Sequence, residues 1–255
     1  MKKNLPVLFV LNLDFNPERL ASLQRQTDAL GLEMQRIAGV NGAALTEQEV
    51  ARVYSPELNR KYYRHGLTRG KIGCYLGHKK IWQKILDEDI DCAVILEDDA
   101  ILEAHFSKML EAISAMEGVE YIKLADNQQC PPAQTRPLAS GFTLVNYRRI
   151  PNCAITYVLT KRGAEKLLRR EMIYRPVDID MQFAREIDLN LLGMLPYPIT
   201  HDPQFDSDIT KVNGGFHSNH STLFSNINYR LRIWWHRHVY LSGDLDRINT
   251  PGQQG

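Results

Sequence analysis

The sequence predicts an α/β fold built on a mostly parallel sheet, and three observations predict it. Val7–Leu13 is a short apolar run, followed by Asn16-Pro17 and then by Leu20, Leu23, Thr27 and Leu30 at helical spacing. Asn16 suits an N-cap and Pro17 the first helical position, and Gly31 closes the helix. Leu32–Ala38 supplies a second strand. A β-α-β opening calls for parallel strands joined by a right-handed crossover. The second observation is the segment Cys92–Leu102, where an apolar run ends in Glu97, Asp98 and Asp99. Such a run fits a strand buried on both faces. The third is the alternation of further apolar runs (Tyr121–Leu124, Cys153–Leu159, Leu191–Leu195) with segments of helical spacing.

Each remaining element has its own local signal. Gly39-Val40-Asn41-Gly42 makes a turn, and Thr46-Glu47-Gln48-Glu49 is a capping box that opens a short helix. Residues 54–69, rich in Arg, Lys, Tyr and His, are expected to be irregular. They form either a solvated loop or, beside an acidic strand end, a phosphate-holding one. Thr68 caps a helix over Gly70–Asp87 with Ile72, Tyr75, Leu76, Trp82, Ile85 and Leu86 on its apolar face. Gly73 and Gly77 on that helix each cost about 1 kcal/mol relative to Ala. They allow a close approach on one face, by a ligand or by a packed neighbour. A helix reaching Met116 follows the acidic strand, and Thr160 caps another through Arg170. The polar, proline-bearing stretch 125–149 reads as a long loop.

Composition narrows the function classes. The chain has 255 residues, 44% hydrophobic and 24% charged, an ordinary globular balance for one large domain. A net charge of +1 gives no overall field for nucleic acid. The four cysteines are widely spaced without a CxxC pair, which argues against a zinc knuckle. Cys74, Cys92 and Cys153 lie in apolar segments and read as small core residues. Met1-Lys2-Lys3 before Leu5–Leu11 resembles a signal peptide, but Asn12 and Asp14 stop the apolar run and no small-x-small site follows. No segment approaches the about 20 apolar residues of a membrane span. These features predict a cytosolic protein: a globular domain over residues 1–222, then an amphipathic helix and tail over 223–255.

The chemistry concentrates at the acidic strand end. Ligands of open α/β sheets collect at the carboxyl ends of strands. If the strand stays extended, Glu97 and Asp99 share one side and Asp98 faces the other. Two carboxylates on one side suit a hard cation such as Mn²⁺ or Mg²⁺. The alternative is that Asp98 or Asp99 caps the next helix. Pro176-Val177-Asp178-Ile179-Asp180 is a second carboxylate pair, in which Asp178 is either a helix cap or a catalytic group, or both. Arg19 sits in a first helical turn, where a cation does not help the helix dipole, so it is either solvated or directed at an anion. His78 reads as structural or as a ligand. His217 and His220 have a metal-pair spacing inside a loop-like segment. In the tail, Ile227, Leu231, Trp234, His238 and Leu241 recur at helical spacing among arginines, a pattern that packs on its own domain or lies at an anionic lipid surface.

Several stretches together resemble glycosyltransferase family 25, the lipopolysaccharide and lipooligosaccharide biosynthesis glycosyltransferases. They are Val10-Leu11-Asn12-Leu13 with Arg19, Ala38–Gly42, Gly70–His78 with Trp82, Ile95–Asp99, Gly163–Leu167, Pro176-Val177-Asp178 and Ser207-Asp208-Ile209. Three positions depart from the family pattern. Lys71 stands where Glu is usual, Gly77 where Ser is usual, and Asn41 where Asp is common. If that Ser touches the donor, donor specificity differs here.

The resemblance implies a GT-A-type domain, a Rossmann-like sheet flanked by helices. It also implies a UDP-sugar donor, galactose foremost, and inversion at the anomeric carbon onto a lipopolysaccharide or lipooligosaccharide saccharide. Glu97-Asp98-Asp99 then becomes a DxD-like motif, with Asp99 and Glu97 as metal ligands. Asn12, Arg19, Gly73, His78, Glu97 and Asp98 are the expected donor-binding residues, and Asp178 or Asp180 the expected base. The organism is then a bacterium. The cytosolic placement comes from the composition, and the tail helix leaves two alternatives open, packing on its own domain or peripheral contact with the cytoplasmic face of the inner membrane. Two rival functions use the same residues: a metal-dependent phosphohydrolase or nucleotidyltransferase, and a non-catalytic sugar- or lipid-binding protein.

Overall fold

A computed structural model describes residues 5–201 and 223–250. The chain opens as expected with β1 (Val7–Asn12), α1 (Pro17–Ala29) and β2 (Met34–Ala38). A 3-10 turn at Gly42–Ala44, then α2 (Glu47–Val53) and α3 (Pro56–Tyr62), lead to the long α4 (Arg69–Asp87). The acidic strand β3 (Cys92–Glu97) is followed by β4 (Ala100–Leu102), α5 (Phe106–Ser114) and β5 (Tyr121–Lys123). A hairpin of β6 (Gln134–Pro137) and β7 (Thr143–Asn146) comes next, then β8 (Thr156–Thr160) and α6 (Lys161–Leu168). The short α7 (Val177–Asp180), β9 (Leu191–Leu195), β10 (Ile199–His201) and α8 (Leu223–Val239) complete the described elements of regular length.

The sheet has eight strands in the order β2-β1-β3-β8-β5-β9-β7-β6. The expectation of a mostly parallel sheet needs correction, because the sheet is mixed. Only the pairings β1–β2, β1–β3 and β5–β9 are parallel; β3–β8, β5–β8, β7–β9 and β6–β7 are antiparallel. The β-α-β opening makes β1 and β2 parallel. The reversal comes from β8, which enters between β3 and β5, and from the β6–β7 hairpin, which occupies part of the stretch read as loop. Its first strand is nearly all exposed, so no apolar alternation marked it.

Alternation along the strands sorts the core into two layers. Leu8, Val10, Val94 and Leu96 face α1 and α5 with Leu23, Phe106 and Met109. Phe9, Ile95 and Tyr157 face α4 with Ile72, Tyr75 and Trp82. Two other differences are local. Residues 54–69 contain α3, started by Ser55, whose hydroxyl accepts from Leu58 N, and by Pro56 in the first turn. The helix that Asp178 would cap is short: after α7 the chain passes into a 3-10 segment, Met181–Ile187, with a kink at Phe183.

The C-terminal helix packs on the domain. Asn228 Nδ2 donates to Lys61 O at 2.8 Å, Arg232 pairs with Glu186 at 2.9 Å, and the Tyr229 ring meets Tyr63 edge-on at 5.3 Å. Beyond it the chain returns to the sheet: Ser242 Oγ donates to Leu191 O at 2.7 Å, and Leu245 and Ile248 are buried. Among the described residues no helix is long and apolar enough to cross a membrane.

Candidate active site

The three carboxylates stand at the rim of the sheet, where β3 ends at Glu97 and the chain turns through Asp98 and Asp99 into β4. The strand ends before Asp98, so the alternation of an extended strand does not run through the triplet, and the three carboxylates are told apart by their partners. Asp98 points toward α1: its carboxylate accepts from Asn12 Nδ2 at 2.7 Å and from Arg19 Nη1 at 3.4 Å. Asn12 also accepts from Arg36 Nε at 2.8 Å and donates to Asn16 O at 2.9 Å. Asn12, Arg19 and Asp98 are all buried. Burial pushes the Asp98 carboxyl above its ordinary value, against the pull of Asn12 and Arg19. Asp98 therefore ties β1, α1 and β3 together. Asn12, expected to touch the donor, instead fixes Asp98, and Arg19 has this internal anion as a partner while still lining the cleft.

Glu97 and Asp99 line two cavities that meet at them, and Asp98 borders the first of these as well. The first, about 730 Å³, is walled by Leu11, Leu13, Val40, the Asn41-Gly42 turn and Gly70 at the start of α4. The second, about 1060 Å³, is walled by Tyr63, Lys71, Asn127, Asn152 and Asp178. Cys74, Glu97 and Asp99 line both. Cys74 is thus no simple core residue. Its half-buried thiol, pushed well above its ordinary pKa by burial, belongs to the shared wall.

Gly73 and Gly42 let the wall of the first cavity close. A Cβ on Gly73 would lie 2.5 Å from Val40 O and 2.7 Å from Gly42 N, and one on Gly42 would lie 1.9 Å from Arg69 O. Such approaches to backbone admit only glycine. Gly73 lines the cleft, but its necessity is the packing of α4 on the 39–42 turn. The start of α4, where backbone N–H groups lack helical partners, also borders the first cavity, and such an end favours anions.

Two of the departures from the family pattern find a physical reading. Asn41 Oδ1 accepts from Ala43 N at 3.1 Å, work that an Asp oxygen does equally well. A Cβ on Gly77 would meet the Leu11 side chain at 3.0 Å, and Gly77 lines neither cavity. The third departure, Lys71, faces the second cavity.

His78 is completely buried and lines neither cavity. Trp82 Nε1, a donor only, gives its hydrogen to Tyr157 Oη at 2.9 Å. Tyr157 Oη lies 2.9 Å from His78 Nδ1, and His78 Nε2 lies 3.3 Å from Glu97 Oε1. The arrangement that satisfies every atom runs one way: Trp82 to Tyr157, Tyr157 to His78 Nδ1, His78 Nε2–H to Glu97. The opposite tautomer would set a nitrogen lone pair against a carboxylate. His78 therefore orients Glu97 from below. Cys74 Sγ, His78 Nε2 and a Glu97 oxygen do lie within 4.8 Å of one another, but the tautomer that serves Glu97 keeps a proton on Nε2.

The second carboxylate pair also divides. Asp180 is buried and accepts from Tyr75 Oη at 2.8 Å, with Arg170 Nε at 2.8 Å and Arg175 Nη1 at 3.1 Å. Three partners in a buried pocket leave it no route to a substrate; it anchors α7 to α4 and α6. Asp178, two residues earlier, faces the second cavity from the first turn of α7. Burial raises its carboxyl pKa, against the backbone N–H groups at Ile179 and at its own residue and the Lys123 ammonium. His217, His220 and Ser207–Ile209 lie outside the described residues.

The sequence profile of glycosyltransferase family 25, described as an LPS biosynthesis protein family, matches residues 5–181. The chain belongs to glycosyltransferase family 25. The match includes both cavity walls and Glu97, Asp98, Asp99, Asp178 and Asp180, so the transferase class expected from the motifs is borne out. A Drosophila pseudoobscura "Glycosyltransferase 25 family member" is 25% identical over 184 residues, 70% of this chain and 29% of the relative. "Procollagen galactosyltransferase 1" of Danio rerio is 26% identical over 185 residues, 68% of this chain and 30% of the relative. "Procollagen galactosyltransferase 2" of Homo sapiens is 24% identical over 185 residues, 68% of this chain and 29% of its own length. The family 25 chain thus spans about three tenths of the curated relatives it matches.

Proposed function

We propose that the protein transfers a hexose, galactose foremost, from a UDP-sugar to a saccharide acceptor of lipopolysaccharide or lipooligosaccharide type, with inversion. One observation carries this reading: two cavities of different character meet at Glu97 and Asp99. The first suits a nucleoside diphosphate. Leu11, Leu13 and Val40 offer apolar walls for a base, while Arg19 and the α4 N-terminus attract phosphate. The second offers Lys71, Asn127, Asn152 and Asp178 for hydroxyl groups, with Tyr63 as the one aromatic face, beside an apolar wall of Ile155, Val177 and Ile179, a mixed lining that suits a sugar acceptor. The family description supports the acceptor class, and the names of the relatives support the sugar.

Glu97 and Asp99 fit a hard divalent cation, Mn²⁺ or Mg²⁺, because both are carboxylates on one wall and His78 fixes one of them. Asp98 is committed to Asn12 and Arg19 and stays out of that set. Such a cation, when bound, neutralises charge on the departing diphosphate. The protein's own residues do the rest. Arg19 and the α4 N-terminus hold the diphosphate, and Tyr63 and Asn152 border the acceptor. Asp178 takes the acceptor hydroxyl's proton as its oxygen bonds to the anomeric carbon and the bond to UDP breaks. The raised pKa of Asp178 suits a base that must bind a proton and release it.

The test is UDP release from a panel of nucleotide sugars with saccharide acceptors, in Mn²⁺ and in EDTA. Acceptor-dependent release of intact UDP that EDTA abolishes is expected. Free phosphate or pyrophosphate as product would overturn the transferase reading, and full transfer in EDTA would overturn the cation.

A further inference from the structure

Glycosyl transfer leaves the exposed face of α8 unused. Its inner face is accounted for by Tyr229, Arg232 and His236, which pack on Tyr63, Glu186 and Phe183. Its outer face carries Ile227, Leu231, Trp234, Trp235 and Val239, between 47% and 62% exposed. At 100° per residue these five positions fall within a band of about 140°, a continuous ridge along the helix. Two neighbouring exposed tryptophans are costly in water, and Trp234 gains only a stack on His238 at 4.5 Å.

Charge selects the occupant. The helix LFSNINYRLRIWWHRHV contains three arginines and no Asp or Glu. Arg230 is exposed on the flank of the ridge, and Arg148 reaches the helix end by donating to His238 O at 2.9 Å. Arg64 and Arg185 lie over the Tyr229 and Tyr240 rings on the inner side of the helix, so of these cations Arg230 and Arg148 stand nearest the ridge. The acid at the inner face, Glu186, is already paired with Arg170, Arg175 and Arg232. A chain of net charge +1 therefore gathers cations around one apolar, tryptophan-bearing ridge. That combination matches the boundary of an anionic bilayer, where indoles sit at headgroup level and arginines meet phosphate.

We infer that α8 seats the protein on an anionic lipid surface through Leu231, Trp234 and Trp235. The placement bears on the site. Tyr63 lines the second cavity and rests edge-on against Tyr229 of the same helix. Docking through α8 brings that cavity next to the membrane, where an acceptor saccharide carried on a lipid would be found. This last step rests on the transferase reading; the docking does not.

The experiment uses the full chain and vesicles of phosphatidylcholine, with and without phosphatidylglycerol. Co-sedimentation with the anionic vesicles and a blue shift of tryptophan emission are expected, both weakening as salt is raised. The triple variant L231S/W234S/W235S should partition at least 10-fold less, and R230E should weaken binding to anionic vesicles alone. Absence of vesicle binding, or equal binding by the triple variant, overturns the inference. So does a concentration-dependent dimer that the triple variant abolishes while vesicle binding stays unchanged, because the ridge would then cover a second copy of the chain. UDP release to a water-soluble acceptor, measured on the same variants, should be unaltered. Loss of that release in the unmodified chain would indict the transferase reading and leave the lipid result standing.

Discussion

His78 Nε2 lies 3.3 Å from Glu97 Oε1, at the end of a donor chain that begins at Trp82. A carboxylate at a strand end is otherwise free to rotate, and this contact fixes one of its oxygens. Partners of this kind typically change metal affinity 10–100-fold. His78→Gln should therefore weaken Mn²⁺-dependent UDP binding by about 10-fold or more. Tyr157→Phe, which breaks the same chain one step earlier, should move affinity in the same direction by less. Calorimetric titration of UDP with and without Mn²⁺ reads both, and circular dichroism controls for folding.

The adjacent carboxylates Asp98 and Asp99 should fail differently. Asp98 bonds Asn12 and Arg19 in a buried setting, so Asp98→Asn should lower thermal stability by about 2 kcal/mol or more. Asp99→Asn should remove Mn²⁺-dependent UDP binding and reduce turnover at least about 100-fold. Thermal melts paired with turnover measurements separate the two.

Asp178 and Asp180 form a second such contrast. Asp178→Asn should keep UDP affinity and lose about 10²–10⁴ in turnover. A base works only when ionised, and burial holds the Asp178 pKa above the ordinary 3.8. The acid limb of kcat/KM should accordingly fall at a pH above 3.8, activity being present on the alkaline side and lost on acidification. Asp180→Asn should act mainly on stability, costing about 3 kcal/mol, because it leaves Arg170 and Arg175 short of a buried partner.

Glu186 should set part of the acid sensitivity of the fold. Burial alone would raise its pKa, but Arg175 and Arg170 outweigh burial and hold it below the ordinary 4.5. A depressed folded pKa adds stability that is complete above the unfolded value and disappears as pH falls through the folded one. Melting temperature should therefore drop as pH is lowered from 4.5, and Glu186→Gln should be less stable at neutral pH and show a shallower acid slope.

The sequence marked what apolar periodicity and charge could mark. The β1–α1–β2 opening, α4 and the acidic end of β3 each had a run, a cap or a cluster. The division of labour between Glu97 and Asp98 was not legible, because the strand ends at Glu97 and the turn that follows, with Asn12 and Arg19 beside it, sets where Asp98 goes. Other features left no such trace. Asn12 and His78 touch partners 86 and 19 residues away, so only the folded sheet reveals that they orient carboxylates. Asp178 and Asp180 look alike in sequence, and what parts them is an arginine pair supplied by the end of α6 and its following loop. The reversal of β8 was invisible because a strand buried on both faces reads the same in either direction. Ser55-Pro56 did announce α3, and the cationic character of residues 54–69 masked it.

Because β8 runs against β3, the site is fed by two separate stretches of chain. Everything lining the first cavity lies between Leu11 and Asp99, while much of the second comes from 127–179. Only the short wall of Cys74, Glu97 and Asp99 is common property. On the proposed assignment of the two cavities, exchange of the later stretch would re-aim the protein at a new acceptor and leave its choice of nucleotide intact.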